Sequence, residues 1–280
     1  MADIESYSNQ IIKKIFEKQR RELTESLKYA SYIQRALLPD EPLIKRFFPN
    51  SFLLFMPRDI VSGDFYWLSR KKSLIYFAMA DCTGHGVPGA FLSILGITFL
   101  NQVVDRSEQK NAAYILNSLR EYIMKALHQT GELHEQKDGI DMALCVVDTE
   151  NNILNYAGAF NPIYIIKDRK QLIEIPADKM PIGVAAEEET SFTNHEMKLK
   201  EGDIIYLFSD GYVDQFGGPN GKKFKFRPFR NLLLNICNLP MEEQREELIR
   251  KHLDWRAEIP QLDDISIFGF SYHSNNQVII

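Results

Sequence analysis

Four apolar runs between residues 140 and 177 follow one another with almost no chain between them. IDMALCVVDT gives way to NILNYAGA across Glu150-Asn151-Asn152, and NPIYIIKD reaches QLIEIPA after only two residues. Parallel strands need a crossover of roughly a dozen residues, so connections this short leave antiparallel pairing as the solution. SFLLFMPR, GDFYWLSR and SLIYFAMAD upstream, and TSFTNHEMKL, DIIYLFSD and DISIFGFSY downstream, have the same aliphatic and aromatic character. Helical patterns in the body fall at residues 87–104, 110–129, 226–236 and 241–256, the second with Ala113, Leu116, Leu119, Ile123 and Leu127 on one face. About nine strands and four helices predict an α+β layered fold, its mainly antiparallel sheets flanked by helices.

Residues 5–38 lack Gly and Pro, and Phe16, Leu23, Leu27, Ala30 and Leu37 keep heptad-like spacing that Arg20 and Gln34 interrupt. This predicts one long helix, lying on the body or pairing with a second copy as a homodimer. Pro39 and Pro42 are read as its stop. The chain is accordingly divided into a helical linker and dimerisation segment, 1–46, and a body, 47–275. A net charge of −5 argues against a nucleic-acid binder. Three widely spaced cysteines with no CxxC indicate neither zinc nor a disulfide framework. No secretory leader is evident and no apolar run approaches the roughly 18 residues of a membrane span. The expectation is a reduced, cytoplasmic protein without a membrane segment.

Ala80-Asp81-Cys82-Thr83-Gly84-His85-Gly86-Val87-Pro88-Gly89 stands between an apolar strand and an apolar helix. Gly84, Gly86 and Gly89 satisfy G-x-G-x-x-G, but a dinucleotide site requires a second strand after the helix, and here DRSEQKN and another helix follow. Asp81 would also face a pyrophosphate with the wrong sign. Asp64, Asp81, Asp210 and Asp264 each adjoin an apolar strand and a glycine or turn. If they converge, their charges demand divalent cations, and oxygen donors select Mg²⁺ or Mn²⁺.

In this order and spacing, the motifs resemble the SpoIIE/RsbU-type branch of the PP2C (PPM) serine/threonine phosphatases. They are Ile33-Gln34 with Leu37-Leu38-Pro39, Val61-Ser62-Gly63-Asp64, Ala80-Asp81 with Gly84-His85-Gly86 and Pro88-Gly89-Ala90, Tyr156-Ala157-Gly158-Ala159 with Asn161-Pro162, Pro181-Ile182-Gly183, Ser209-Asp210-Gly211 and Asp263-Asp264-Ile265. The resemblance covers residues 31–272 and implies a β-sandwich between helical layers. It implies two Mn²⁺ or Mg²⁺ ions, Asp81 bridging them, the Cys82 carbonyl and Asp64 on one, and Asp210 and Asp264 on the other, with Asp81 and Asp210 the catalytic pair. A water activated by the two ions would attack phosphorus in line. The implied substrate is a phosphorylated protein of STAS type in bacterial partner-switching, with an upstream sensor or regulator delivering the signal. His85 is read as a hydrogen-bonding group of the glycine turn or a general acid, Arg58 as a candidate phosphate contact, and Asp263 as a turn or supporting residue. The competing reading is a non-catalytic signalling module on the same fold. Such a module should have lost a metal acid, whereas all four are present.

Overall fold

The computed structural model describes residues 2–106, 108–132, 137–185 and 190–274. The chain opens with α1 (Ala2–Leu37), α2 (Glu41–Phe47), β1 (Ser51–Met56), β2 (Phe65–Lys71), β3 (Leu74–Cys82), α3 (Val87–Arg106) and α4 (Ala112–Ala126). Next come β4 (Gly139–Asp148), β5 (Ile153–Ala159), β6 (Ile163–Lys167), β7 (Gln171–Ile175), β8 (Ile182–Gly183), β9 (His195–Lys198) and β10 (Ile204–Phe208). The last stretch holds α5 (Gly211–Asp214), β11 (Phe216–Gly217), β12 (Lys222–Lys223), α6 (Phe226–Ile236), α7 (Met241–Arg256) and β13 (Ile265–Ser271).

One sheet runs β1-β13-β10-β6-β7 and the other β2-β3-β4-β5-β9, with β8 added on β4. Every pairing between these strands is antiparallel, as the short connections require. The strand period of two explains the layering. Along β3, Ile75, Phe77 and Met79 face the other sheet, where Phe77 stacks on Phe268 at 3.8 Å. Tyr76, Ala78 and Ala80 face the opposite way, into a core shared with α3 and α4. Tyr206 and Phe208 of β10 meet Phe229 of α6 and Leu248 of α7 in a third core. The result is helices, sheet, sheet, helices, with both sheets covered on both faces.

Two expectations need correction. Pro42 does not merely stop α1: it sits in the first turn of α2, where its missing N–H costs nothing, and Asp40 caps that helix by accepting from Leu43 N–H. Against the expectation that no apolar run approaches a membrane span, α3 is, among the described helices, long and apolar enough to cross a membrane by length and composition. Half of its most apolar window is buried, and that face belongs to the core shared with α4 and β3.

Candidate active site

The two sheets converge at one end on a cleft of about 220 Å³, lined by Asp81, Cys82, Thr83, Gly84, His85, Asp141, Asp210 and Asp263. Asp81 lies next to the end of β3 and is the register partner of Asp141 in β4, so the pair faces the cleft from adjacent strands. Asp210 follows β10 and precedes α5, and lies within hydrogen-bonding reach of Asp81. Asp263 arrives ahead of β13, which pairs with β10 in the sheet opposite β3 and β4.

Glycine makes this convergence possible. Gly84 adopts φ +83°, a left-handed conformation that costs glycine little. A Cβ on Gly89 would stand 2.3 Å from the Gly84 carbonyl and 2.8 Å from Gly63 Cα. The loop before Asp64, the loop after Asp81 and the first turn of α3 therefore interlock backbone to backbone.

Asp64 and Asp264 form a layer behind the cleft rather than its lining. Asp64 is buried, and its Oδ2 accepts from Ser209 Oγ and Ser266 Oγ, both at 2.6 Å, tying the loop before β2 to the opposite sheet. Its Oδ1 is buried with no protein donor. Asp264 accepts from three backbone amides: Arg58 N–H on Oδ1 (2.7 Å), and Gly63 N–H (2.7 Å) and Asp64 N–H (3.4 Å) on Oδ2. It fastens the chain that carries Asp64. Among the described residues, no three acidic, histidine or cysteine side chains form a ready-made metal cage.

Burial without compensating positive charge dominates the electrostatics. Desolvation, with the charges of Asp64 and Asp210 adding to it, holds the Asp81 carboxyl well above the usual range. Burial lifts Asp64 to about 7 against the hydrogen bonds from Ser209 and Ser266, and lifts Asp141 to about 7 with the charge of Asp210. Burial and then Asp214 lift Asp210 to about 6, and burial also raises Asp263. The buried Cys82 thiol is pushed far up by desolvation and the carboxylates around it, so it stays protonated. A set of carboxyls this costly to ionise together is one that divalent cations stabilise.

His85 stands at the exposed mouth, its Nδ1 2.6 Å from Arg58 Nη2. Arg58 does not line the cleft, and its guanidinium is engaged by Asp59, His85 and the Leu262 carbonyl. Asp141 is not legible in the sequence, because it lies near the start of an apolar strand where a single polar residue carries no signal of its own. Only its register with Asp81 reveals it. Ser209 and Ser266 were likewise unremarkable until their hydroxyls met on Asp64.

Comparisons with known proteins agree with this architecture. A family model described as Stage II sporulation protein E (SpoIIE) matches residues 71–273. The SiaA-PP2C domain of Pseudomonas aeruginosa superposes with a TM-score of 0.82 at 31% identity, covering 91% of this chain and 99% of that one. Stage II sporulation protein E of Bacillus subtilis is 26% identical over 66% of this chain, and phosphoserine phosphatase RsbU of the same organism is 22% identical over 70%. The matches span only 22% and 55% of those two relatives' own lengths. The chain thus belongs to the SpoIIE family and has the PP2C fold, with the α+β layering its strand spacing predicts and the sandwich the resemblance implies.

Proposed function

We propose that this chain is a divalent-cation-dependent protein phosphatase that hydrolyses phosphoserine or phosphothreonine on a protein partner. The observation that carries this reading is the cleft itself, four carboxyls lining it and a fifth, Asp64, just behind with a buried oxygen that no protein group satisfies. Those donors fit Mn²⁺ or Mg²⁺, since all are oxygen. Asp64, Asp81, the Cys82 carbonyl, Asp210 and Asp264 would hold two such ions, Asp264 with the lone-pair capacity its three amides leave. Bound cations would neutralise phosphoryl oxygens and make water acidic enough to attack near neutral pH. The protein's own part is positional. Ser209 and Ser266 fix Asp64, Asp264 fixes the backbone beneath it, and Asp141 faces the cleft beside Asp81 as a further oxygen donor or acceptor. The protonated Cys82 thiol is no nucleophile, so no phosphocysteine forms.

The partner we favour is a STAS-domain protein of the partner-switching type, as the motif resemblance implies, and the relative RsbU, named a phosphoserine phosphatase, supports phosphoserine as the group hydrolysed. We further propose that residues 1–46 form the linker and dimerisation segment and 47–275 the phosphatase body. An upstream sensor or regulator would act through α1 in a cytoplasmic protein. Exposed Ile12, Ile15, Phe16 and Leu23 give α1 an apolar surface for a second copy. The test is phosphate release from a phosphorylated STAS-domain candidate. Turnover that requires Mn²⁺ or Mg²⁺ is expected, and none with any such candidate would remove that partner class.

A further inference from the structure

The segment from Gly217 to Arg230, GGPNGKKFKFRPFR, holds five basic residues and no acidic one in a chain whose net charge is −5. It folds as the hairpin β11–β12 and the first turn of α6. Its base is rigid. A Cβ on Gly217 would lie 2.0 Å from the Trp255 carbonyl, Gly218 donates to that carbonyl at 2.7 Å, and Phe224 packs edge-on against both Trp255 and Tyr212. It is also fastened beside the cleft. Lys225 N–H donates to the Val213 carbonyl and Lys223 Nζ to Asp214, both in the short helix α5 that Asp210 opens. The charge of Lys223 is felt by Asp210 itself.

Of the five basic side chains, Lys223 is paired with Asp214 and Arg230 with Glu174. Lys222, Lys225 and Arg227 are exposed, and among the described residues none of the three has an ion-pair partner. α6 begins at the same place without a side-chain cap, adding its positive end. Three unspent cations on a rigid support, next to a cleft lined by carboxyls, form a surface for an anionic group other than the one that enters the cleft.

We infer that the β11–β12 hairpin and the start of α6 bind an acidic stretch flanking the phosphorylated residue of the protein substrate. The inference rests on the phosphatase reading and narrows its substrate class. Charge complementarity selects this occupant: Asp and Glu beside the phosphoresidue pair with Lys222, Lys225 and Arg227 and draw the peptide toward an otherwise repulsive rim.

The test compares two peptides of one phosphothreonine sequence, flanked by four Glu or by four Gln, with the full chain and Mn²⁺. At low salt kcat/KM should favour the acidic peptide roughly tenfold through KM, and the preference should shrink as ionic strength rises. The charge-reversed variant Lys222→Glu/Lys225→Glu/Arg227→Glu should lose it. Lys222→Arg/Lys225→Arg should keep it, which separates charge from misfolding. Anisotropy of the labelled, unphosphorylated peptides reads the same preference without turnover. Failure of the wild type to hydrolyse an aryl phosphate would therefore sink the phosphatase reading while the hairpin is still decided. Equal kcat/KM and equal binding for the two peptides would overturn the inference. So would a charge-reversed variant that loses affinity only for vesicles of anionic phospholipid, which would make the patch a membrane contact.

Discussion

Asp81 is where the removal of one charge should matter most, because it shares the cleft with Asp141 and Asp210 and burial with their charges holds its carboxyl well above the usual range. Asp81→Asn should reduce cation-dependent phosphate release to background while the metal-free fold melts at or above the wild-type temperature, since the substitution relieves repulsion. The raised carboxyls also set a pH dependence. Asp64 and Asp141 titrate near 7 and Asp210 near 6 in the folded chain, against about 3.9 when unfolded. Between these limits the folded state binds more protons, so its stability is highest below the unfolded value and is lost as pH rises through 6 and 7. The melting temperature in EDTA should fall from pH 5 to pH 8, less steeply in Asp141→Asn, and millimolar Mn²⁺ should restore it at pH 8. A profile that rises across that interval would contradict these assignments. Ser209→Ala, which leaves Asp64 one donor short, should weaken Mn²⁺ binding by roughly 10-fold, as removal of an outer partner of a ligand does.

At the level of elements, the junction between α1 and the body turns on one side chain. Gln34, in the last turns of α1, is buried and donates through Nε2 to the Ser62 carbonyl (2.6 Å) and Ser93 Oγ (2.9 Å), while its Oε1 accepts from Ser62 N–H (3.1 Å). It therefore pins α1 both to the loop that leads into Asp64 and to α3. Gln34→Leu strands the Ser62 amide and carbonyl, a loss of about 1–3 kcal/mol that thermal denaturation should read. Because Ser62 is two residues from Asp64, the Mn²⁺-induced melting shift should shrink as well. An unchanged shift would confine Gln34 to a purely packing role. The sequence announces Gln34 as a polar interruption of a heptad seam and as part of the Ile33-Gln34 motif, and the physical reason lies in contacts 28 and 59 residues away. Much else at this scale is legible beforehand. The two C-terminal helices fall on their predicted residues, and the 150–152 turn joins β4 to β5, because periodicity and short connections are local signals. α2 escapes because its proline reads as a stop, and Asp141 because strand register is a long-range fact.

At the scale of the whole molecule, neither α1 nor the basic hairpin belongs to the two large sheets. α1 extends 36 residues, and Phe16 and Leu23 are 65% and 62% exposed. Since an apolar row on an isolated helix is marginal in water, a second copy is the partner we propose for it. Sedimentation of the full chain at tens of micromolar should show a dimer that Leu23→Glu dissociates; a monomer for both would leave α1 without that role. The sandwich, by contrast, is closed on both faces, and among the described residues the cleft between its sheets gathers buried carboxyls with little positive charge beside them. The account therefore stands or falls on what cations do there. The most direct measurement is phosphate release from an aryl phosphate by the full chain as Mn²⁺ is titrated and then withdrawn with EDTA. Saturable activity that EDTA abolishes, and that Asp81→Asn lacks at every Mn²⁺ concentration, is the predicted result. Turnover that persists in EDTA, or an Asp81→Asn chain as active as the wild type, would contradict it.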